Sequence, residues 1–269
     1  MKYLWLTDIH LNFLGMNDRE LFYQSLAENP GEAVLISGDI AEAPSLSEIL
    51  KEMAGSVRKP IYFVLGNHDY YKGRVSHVRE EMCRLTEEEN LLFWLPASGP
   101  QKIGSDTILL GQDCWADGRY GKYTNSPIRL NDSRMIDELF EAERLGKSSL
   151  LEKMQEFADK DAIQLKSDLE SALTNHSPEK IIVLVHVPPF RESCLYEGHV
   201  TYDDFLPFFG SKVTGDVLAE IAESNPDVEM LVLCGHTHSE SYLKPLKNLV
   251  VKVGKSEYSR PEIQELISL

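Results

Sequence analysis

Five of the eight histidines in this chain follow directly on short apolar runs, with acids or an amide beside them. LWLTDIH carries Asp8 and His10, and VLISGDI carries Asp39. FVLGNHD carries Asn67, His68 and Asp69. IVLVHVPP carries His186, and LVLCGHTH carries His236 and His238. Imidazole together with carboxylate suits Zn, Mn or Fe rather than Ca or Mg alone. Two aspartates, four ligating histidines and one asparagine exceed the needs of one ion and suit two ions sharing a bridging carboxylate. Two cations about 3.5–4 Å apart clamp a phosphoryl group for in-line displacement and lower the pKa of a bridging water.

Each motif alone has an ordinary explanation. An Asp-x-His pair is often only hydrogen-bonded. Gly38-Asp39 reads as a tight turn with a helix N-cap. His186, ahead of Pro188-Pro189, reads as a core histidine. Gly235-His236-Thr237-His238 is the strongest element, because two alternating histidines behind a buried strand are hard to account for as core. Taken jointly, the ordinary explanations need five coincidences. His77, His176 and His199 lie away from such runs and read as surface, helix-end and loop residues.

The elements that must position these groups are short β-rich runs alternating with helical periodicity. Strands are expected at Lys2–Thr7, Ala33–Ser37, Ile61–Leu65, Thr107–Gly111, Lys180–Val185 and Glu229–Leu233. A late pair is expected at Ser239–Leu243 and Leu249–Val253. Helices fit Asp18–Glu28, Ser45–Ser56, Gly73–Glu89 and Lys212–Glu223, with Ser45 and Glu48 as a capping box. This alternation implies parallel pairing in a layered α/β fold. The polar groups then sit at the C-terminal ends of strands, where loops from parallel strands converge. Side chains two apart on an extended chain share a face, which would aim Asp8 with His10, and His236 with His238, into one crevice.

The chain has 269 residues, 42% of them apolar, and reads as one domain over 1–269. Residues 114–176 stand apart: a Gly- and Tyr-rich loop, WADGRYGKYTN, then a long charged helical stretch from Asn131 to about Leu173. It reads either as an amphipathic helix on one sheet face or as a cap over the site. The formal charge of −16 gives no general attraction for nucleic acid or anionic membranes. Any phosphate chemistry must therefore draw on local cations. The four cysteines form no C-x-x-C pair, which suits a reducing compartment. The opening MKYLWLTDIH is too short an apolar run for a signal-peptide core or a membrane span. A cytoplasmic protein is expected.

In order and spacing, Asp8-x-His10, Gly38-Asp39, Gly66-Asn67-His68-Asp69, His186 and Gly235-His236-x-His238 resemble the signature of the calcineurin-like metallophosphoesterases. The resemblance implies a two-sheet α/β/β/α sandwich. It implies Asp8, His10 and His238 on a first divalent transition metal (Mn, Fe, Zn, Co or Ni), and Asn67, His186 and His236 on a second. Asp39 would bridge the two, and a metal-bridging hydroxide would attack phosphorus. His68 would protonate the leaving oxygen, with Asp69 as its orienting partner. The implied substrate is a small phosphodiester or phosphomonoester. The protein phosphatases' GD-x-x-DRG and GNHE boxes are absent, and Glu42 falls short of the second acid typical of the family's nucleases. A non-catalytic scaffold on the same fold is the rival reading, and the complete ligand set with His68 speaks against it.

Overall fold

The computed structural model describes residues 1–269. Its strands are β1 Lys2–Leu6, β2 Ala33–Ser37, β3 Ile61–Val64, β4 Leu92–Trp94, β5 Gln101–Lys102, β6 Thr107–Gly111, β7 Lys180–Leu184, β8 Leu195–Tyr196, β9 His199–Val200, β10 Glu229–Cys234, β11 Ser241–Leu246, β12 Leu249–Val253 and β13 Glu265–Ser268. Its helices are α1 Met16–Glu28, α2 Ala43–Val57, α3 Val75–Glu88, α4 Leu95–Ser98, α5 Asp132–Met135, α6 Asp137–Leu145, α7 Lys147–His176 and α8 Lys212–Ser224. One sheet has the order β13-β1-β2-β3-β4 and the other β11-β12-β10-β7-β6-β5, while β8 and β9 form a separate hairpin. β1 to β4 pair in parallel, as do β6, β7, β10 and β12.

Alternation along each strand sorts the core into three apolar layers. Leu4, Leu6, Val34 and Ile36 join Tyr23, Leu50 and Met82 of the helices α1 to α3. Their neighbours Tyr3, Trp5, Ala33 and Leu35 turn the other way and meet Leu109, Ile182, Leu184 and Leu233 of the second sheet. On that sheet's far face, Ile108, Ile181, Val183 and Val232 lie with Leu165 and Leu169 of α7 and Leu218 of α8. Both faces of each central strand are dry, so helices cover the outside of two stacked sheets. This is the α/β/β/α sandwich.

Several boundaries differ from the sequence reading. α2 begins at Ala43 with Glu42 at its N-cap and Pro44 in its first turn, so Ser45 sits inside the helix and bonds the Glu42 carbonyl. Proline favours that first turn because its missing N–H has no helical partner there. β4, β5 and β13 are too short to stand out by periodicity. β13 pairs antiparallel with β1, bringing the end of the chain to its start.

Residues 114–176 divide in two. A loop leads into α5, α6 and α7, which are separated at Ile136 and Gly146. α7 has 30 residues, which at 1.5 Å per residue is about 45 Å. Its later half covers the second sheet through Leu165, Leu169 and Ala172. Its earlier half extends to Leu150 and Met154, which pack with the other helical layer.

Candidate metal centre

β1, β2 and β3 are neighbours in one sheet and β7 and β10 in the other, and the loop leaving each carries part of the polar set. Asp8, His10, Asp39, Asn67 and His68 come from the first sheet, and His186, His236 and His238 from the second. β1 stops at Leu6 and β10 at Cys234, so the ligand pairs do not lie on extended chain. Asp8, His10, Asp39, His236 and His238 instead adopt left-handed backbone, with φ of 48°, 41°, 53°, 71° and 54°. The expected strand alternation therefore does not aim them; left-handed turns fold the loops back over the sheet edge. Strain of this kind costs on the order of 1–3 kcal/mol per residue. It is held by bonds such as those from the Asp8 and His10 N–H groups to the carbonyls of Gly38 and Asp39, both 3.0 Å.

Gly38, at φ 98°, has no room for a Cβ, which would strike His186 Nδ1. Gly66 does not need left-handed backbone; a Cβ there would collide with Asp39 Oδ1. Its role is close approach rather than the turn its place in FVLGNHD suggests.

A first cluster forms around Asp8, His10, Asp39 and His238, whose ligand atoms all lie within 4.8 Å of one another. His10 Nε2 stands 3.2 Å from His238 Nε2 and 3.8 Å from Asp39 Oδ2. His238 Nε2 stands 3.3 Å from Asp8 Oδ1. The Asp8 carboxylate is braced by the His236 N–H at 3.0 and 3.1 Å and by the Thr7 hydroxyl at 2.7 Å.

The second cluster centres on the Asn67 amide oxygen. His236 Nδ1 lies 2.9 Å from Asn67 Oδ1, and His186 Nε2 lies 3.0 Å from it. The other nitrogen of each ring faces a backbone carbonyl: His236 Nε2 meets Phe208 O at 2.8 Å, and His186 Nδ1 meets Ser37 O at 2.9 Å. A carbonyl only accepts, so those nitrogens carry the protons, and each neutral ring turns a lone pair toward Asn67. Asn67 Nδ2 donates to Asp132 at 2.9 Å and to the Tyr71 hydroxyl at 3.2 Å, so its oxygen must face the imidazoles. Asp39 Oδ1 adds a fourth acceptor, 3.4 Å from His186 Nε2. The acceptors gathered around Asn67 can share either a proton on His186 Nε2 or a cation, and nitrogen with oxygen donors suits a divalent transition metal.

The electrostatics agree. Burial opposes charge on Asp8 and Asp39, yet the surrounding imidazoles hold both below the usual carboxylate range. Burial lowers His10 to about 4 and lowers His236 as well, leaving neutral ligands. Burial also acts to lower His186 and His238, but Asp39 and Asp8 outweigh it and raise both. A proton and a metal ion thus compete for the same ring nitrogens.

His68 is partly exposed beside the bridge, its Nε2 4.0 Å from Asp39 Oδ2 and its ring stacked on Tyr71 at 4.2 Å. The expected pairing with Asp69 is not present. Asp69 is fully buried and accepts the N–H groups of Ile40, Ala41 and Gly66, each at 2.8 Å, while His68 Nδ1 has no partner. Residues 68–70 form a 3₁₀ turn, whose threefold winding sends neighbouring side chains about 120° apart. Asp69 therefore ties the Asp39 loop to the Asn67 loop. Sequence reasoning also missed Asp132 and Tyr258, whose ring lies 4.7 Å from that of His10 and 5.1 Å from that of His238, while Tyr71 in the GNHDYY run reads from sequence as either pocket-lining or packing. Nothing around Tyr258 marks it in the sequence, and Asn131-Asp132 had read only as a helix cap.

A model of the calcineurin-like phosphoesterase family matches residues 1–240. Comparison with curated protein sequences found no match. Among solved structures, the fold is similar to the phosphopantetheinyl hydrolase of Mycobacterium tuberculosis, with a TM-score of 0.60 at 12% identity over 96% of this chain and 89% of that one. It is also similar to a dimetal phosphatase from Danio rerio, with a TM-score of 0.58 at 12% identity over 95% and 87% of the two chains. At that identity the likeness concerns the fold.

Proposed function

Because the chain belongs to the calcineurin-like phosphoesterase family, we propose that it is a binuclear metal-dependent phosphoesterase acting on a small phosphodiester or phosphomonoester. The observation that carries this reading is the gathering of Asp8, His10, Asp39 and His238 ligand atoms within 4.8 Å, with Asp39 also 3.4 Å from His186 beside the Asn67–His236 pair. Asp8, His10, Asp39 and His238 would hold one ion; Asp39, Asn67, His186 and His236 would hold the other. When bound, such a pair neutralises phosphate oxygens and lowers the pKa of water held between them. His68 lies beside Asp39 and His10, which supports a role for it in handing a proton to the departing oxygen. Its backbone N–H binds Asp39 Oδ1 at 2.9 Å, so the acid and the shared carboxylate keep a fixed relation. The net charge of −16 supports a small substrate over nucleic acid. Four unpaired cysteines support a cytoplasmic location. No helix is long and apolar enough to cross a membrane.

The test is to load the protein separately with Mn, Fe, Zn, Co and Ni, count bound metal, and assay nitrophenyl phosphate and its bis-ester. About two ions per chain with turnover of either ester is the expected result. No turnover with any metal would overturn the reading.

A further inference from the structure

Beside the second cluster lies a cavity of about 310 Å³, sharing Gly66, Asn67, Asp132 and His236 with the metal centre. That volume is near the lower end for small-molecule pockets, roughly 300–1,000 Å³. We propose that this cavity receives the organic group of the phosphate ester, and that this group is largely apolar. The proposal rests on the phosphoesterase reading and adds the substrate class to it.

The walls are mostly apolar, with Trp115, Leu139, Leu150, Met154 and Phe208 among them. The polar side chains that line it are already engaged. The hydroxyls of Ser126, Ser133 and Tyr123 donate to the carbonyls of Asp204, Leu130 and Lys147. Lys147 Nζ donates to the carbonyls of Thr124 and Ser126. Arg129 pairs with Glu143 at 3.7 Å. Two cations, Lys147 on neutral carbonyls and Arg129 beside Glu143, line the cavity together with its mostly apolar walls. A sugar or nucleobase would set most of its hydroxyls and ring polar atoms against apolar walls, which is unfavourable. The indole N–H of Trp115 is buried without a partner and is closed off from the cavity space as well.

The cavity owes its existence to residues 114–154, the segment outside the metal motifs. The loop 114–130 and the start of α7 build its far wall, and Val187 and Phe208 from loops after β7 close it. Selectivity for the organic group thus comes from chain that takes no part in holding metal.

The experiment uses the full metal-loaded chain and n-alkyl phosphates from methyl to octyl. KM should fall about fourfold per added methylene, the usual gain on burying one CH₂, until the cavity fills. In Ile128→Trp, a half-buried loop position on the cavity wall, that dependence should flatten. A wild-type series without chain-length dependence, or an unchanged slope in Ile128→Trp, would overturn the proposal. Calorimetry with the matching n-alkyl phosphonates separates the two readings. If no ester turns over, the phosphoesterase reading fails, while phosphonate affinity still decides whether the cavity takes alkyl chains.

Discussion

Asp39 accepts the His68 backbone N–H through Oδ1 and faces His10 through Oδ2, so one carboxylate joins both halves of the centre. Asp39→Asn should reduce bound metal to at most about one ion per chain by elemental analysis. Turnover should fall at least about 100-fold, since losing even an outer partner of a metal ligand costs 10–100-fold. His68→Ala should keep both ions and slow kcat by about 10²–10⁴-fold, the range for a lost general acid. Asp69→Asn separates positioning from catalysis. The amide keeps one acceptor but sets an N–H against a backbone N–H, so urea denaturation should show a loss of about 1–3 kcal/mol. The pH–rate profile of the folded fraction should not move; a shifted profile would restore Asp69 as the partner of His68. The ligand types were readable because imidazole, carboxylate and amide are scarce behind apolar runs. The role of Asp69 was not, since adjacency in sequence says nothing about direction inside a 3₁₀ turn.

Arg79 on α3 joins elements that share no sheet. Its guanidinium makes paired bonds of 2.9 and 2.7 Å to Asp161 of α7, and reaches Asp113, after β6, at 3.2 Å. Asp113 in turn accepts the Leu65 N–H at 2.8 Å and the Trp94 indole at 3.0 Å, one step before the Gly66-Asn67 loop. Arg79→Ala would leave two buried carboxylates unpaired and should cost about 3–5 kcal/mol, read as a lowered denaturation midpoint. Most elements could be read from the sequence because β1, β2, β3, β7 and β10 end where apolar runs end. The division of the stretch after Asn131 into α5, α6 and α7 was not readable, because helical composition continues through Ile136 and Gly146. The left-handed ligand backbone was equally hidden, since Asp and His carry no mark of φ.

Across the whole molecule the two sheets contribute unequal halves of one centre, so a bound ion acts as a clamp between layers. At about 100 times its dissociation constant, metal should add about 2.7 kcal/mol. For a chain of this size that is roughly 5–10 °C in melting temperature by scanning calorimetry, reversed by a chelator. The gain should be larger at pH 8 than at pH 6. Protonated His186 and His238 stabilise the ion-free fold at low pH, and that contribution is lost as pH rises through their raised pKa values. Metal binding needs those protons gone, so its affinity rises over the same interval. An equal gain at both values would contradict the competition. The layered architecture followed from sequence through strand alternation, whereas the cavity did not, because it arises where distant loops meet α7. The separation of the two halves along the chain also sets an order in time. His236 and Asp8 are 228 residues apart, so at about 5–20 residues per second the ribosome delivers them roughly 10–50 s apart. A nascent chain holds only Asp8, His10, Asp39 and Asn67 for most of that interval. On the proposed two-metal reading, neither ligand set is complete until the chain has been made as far as His236 and His238.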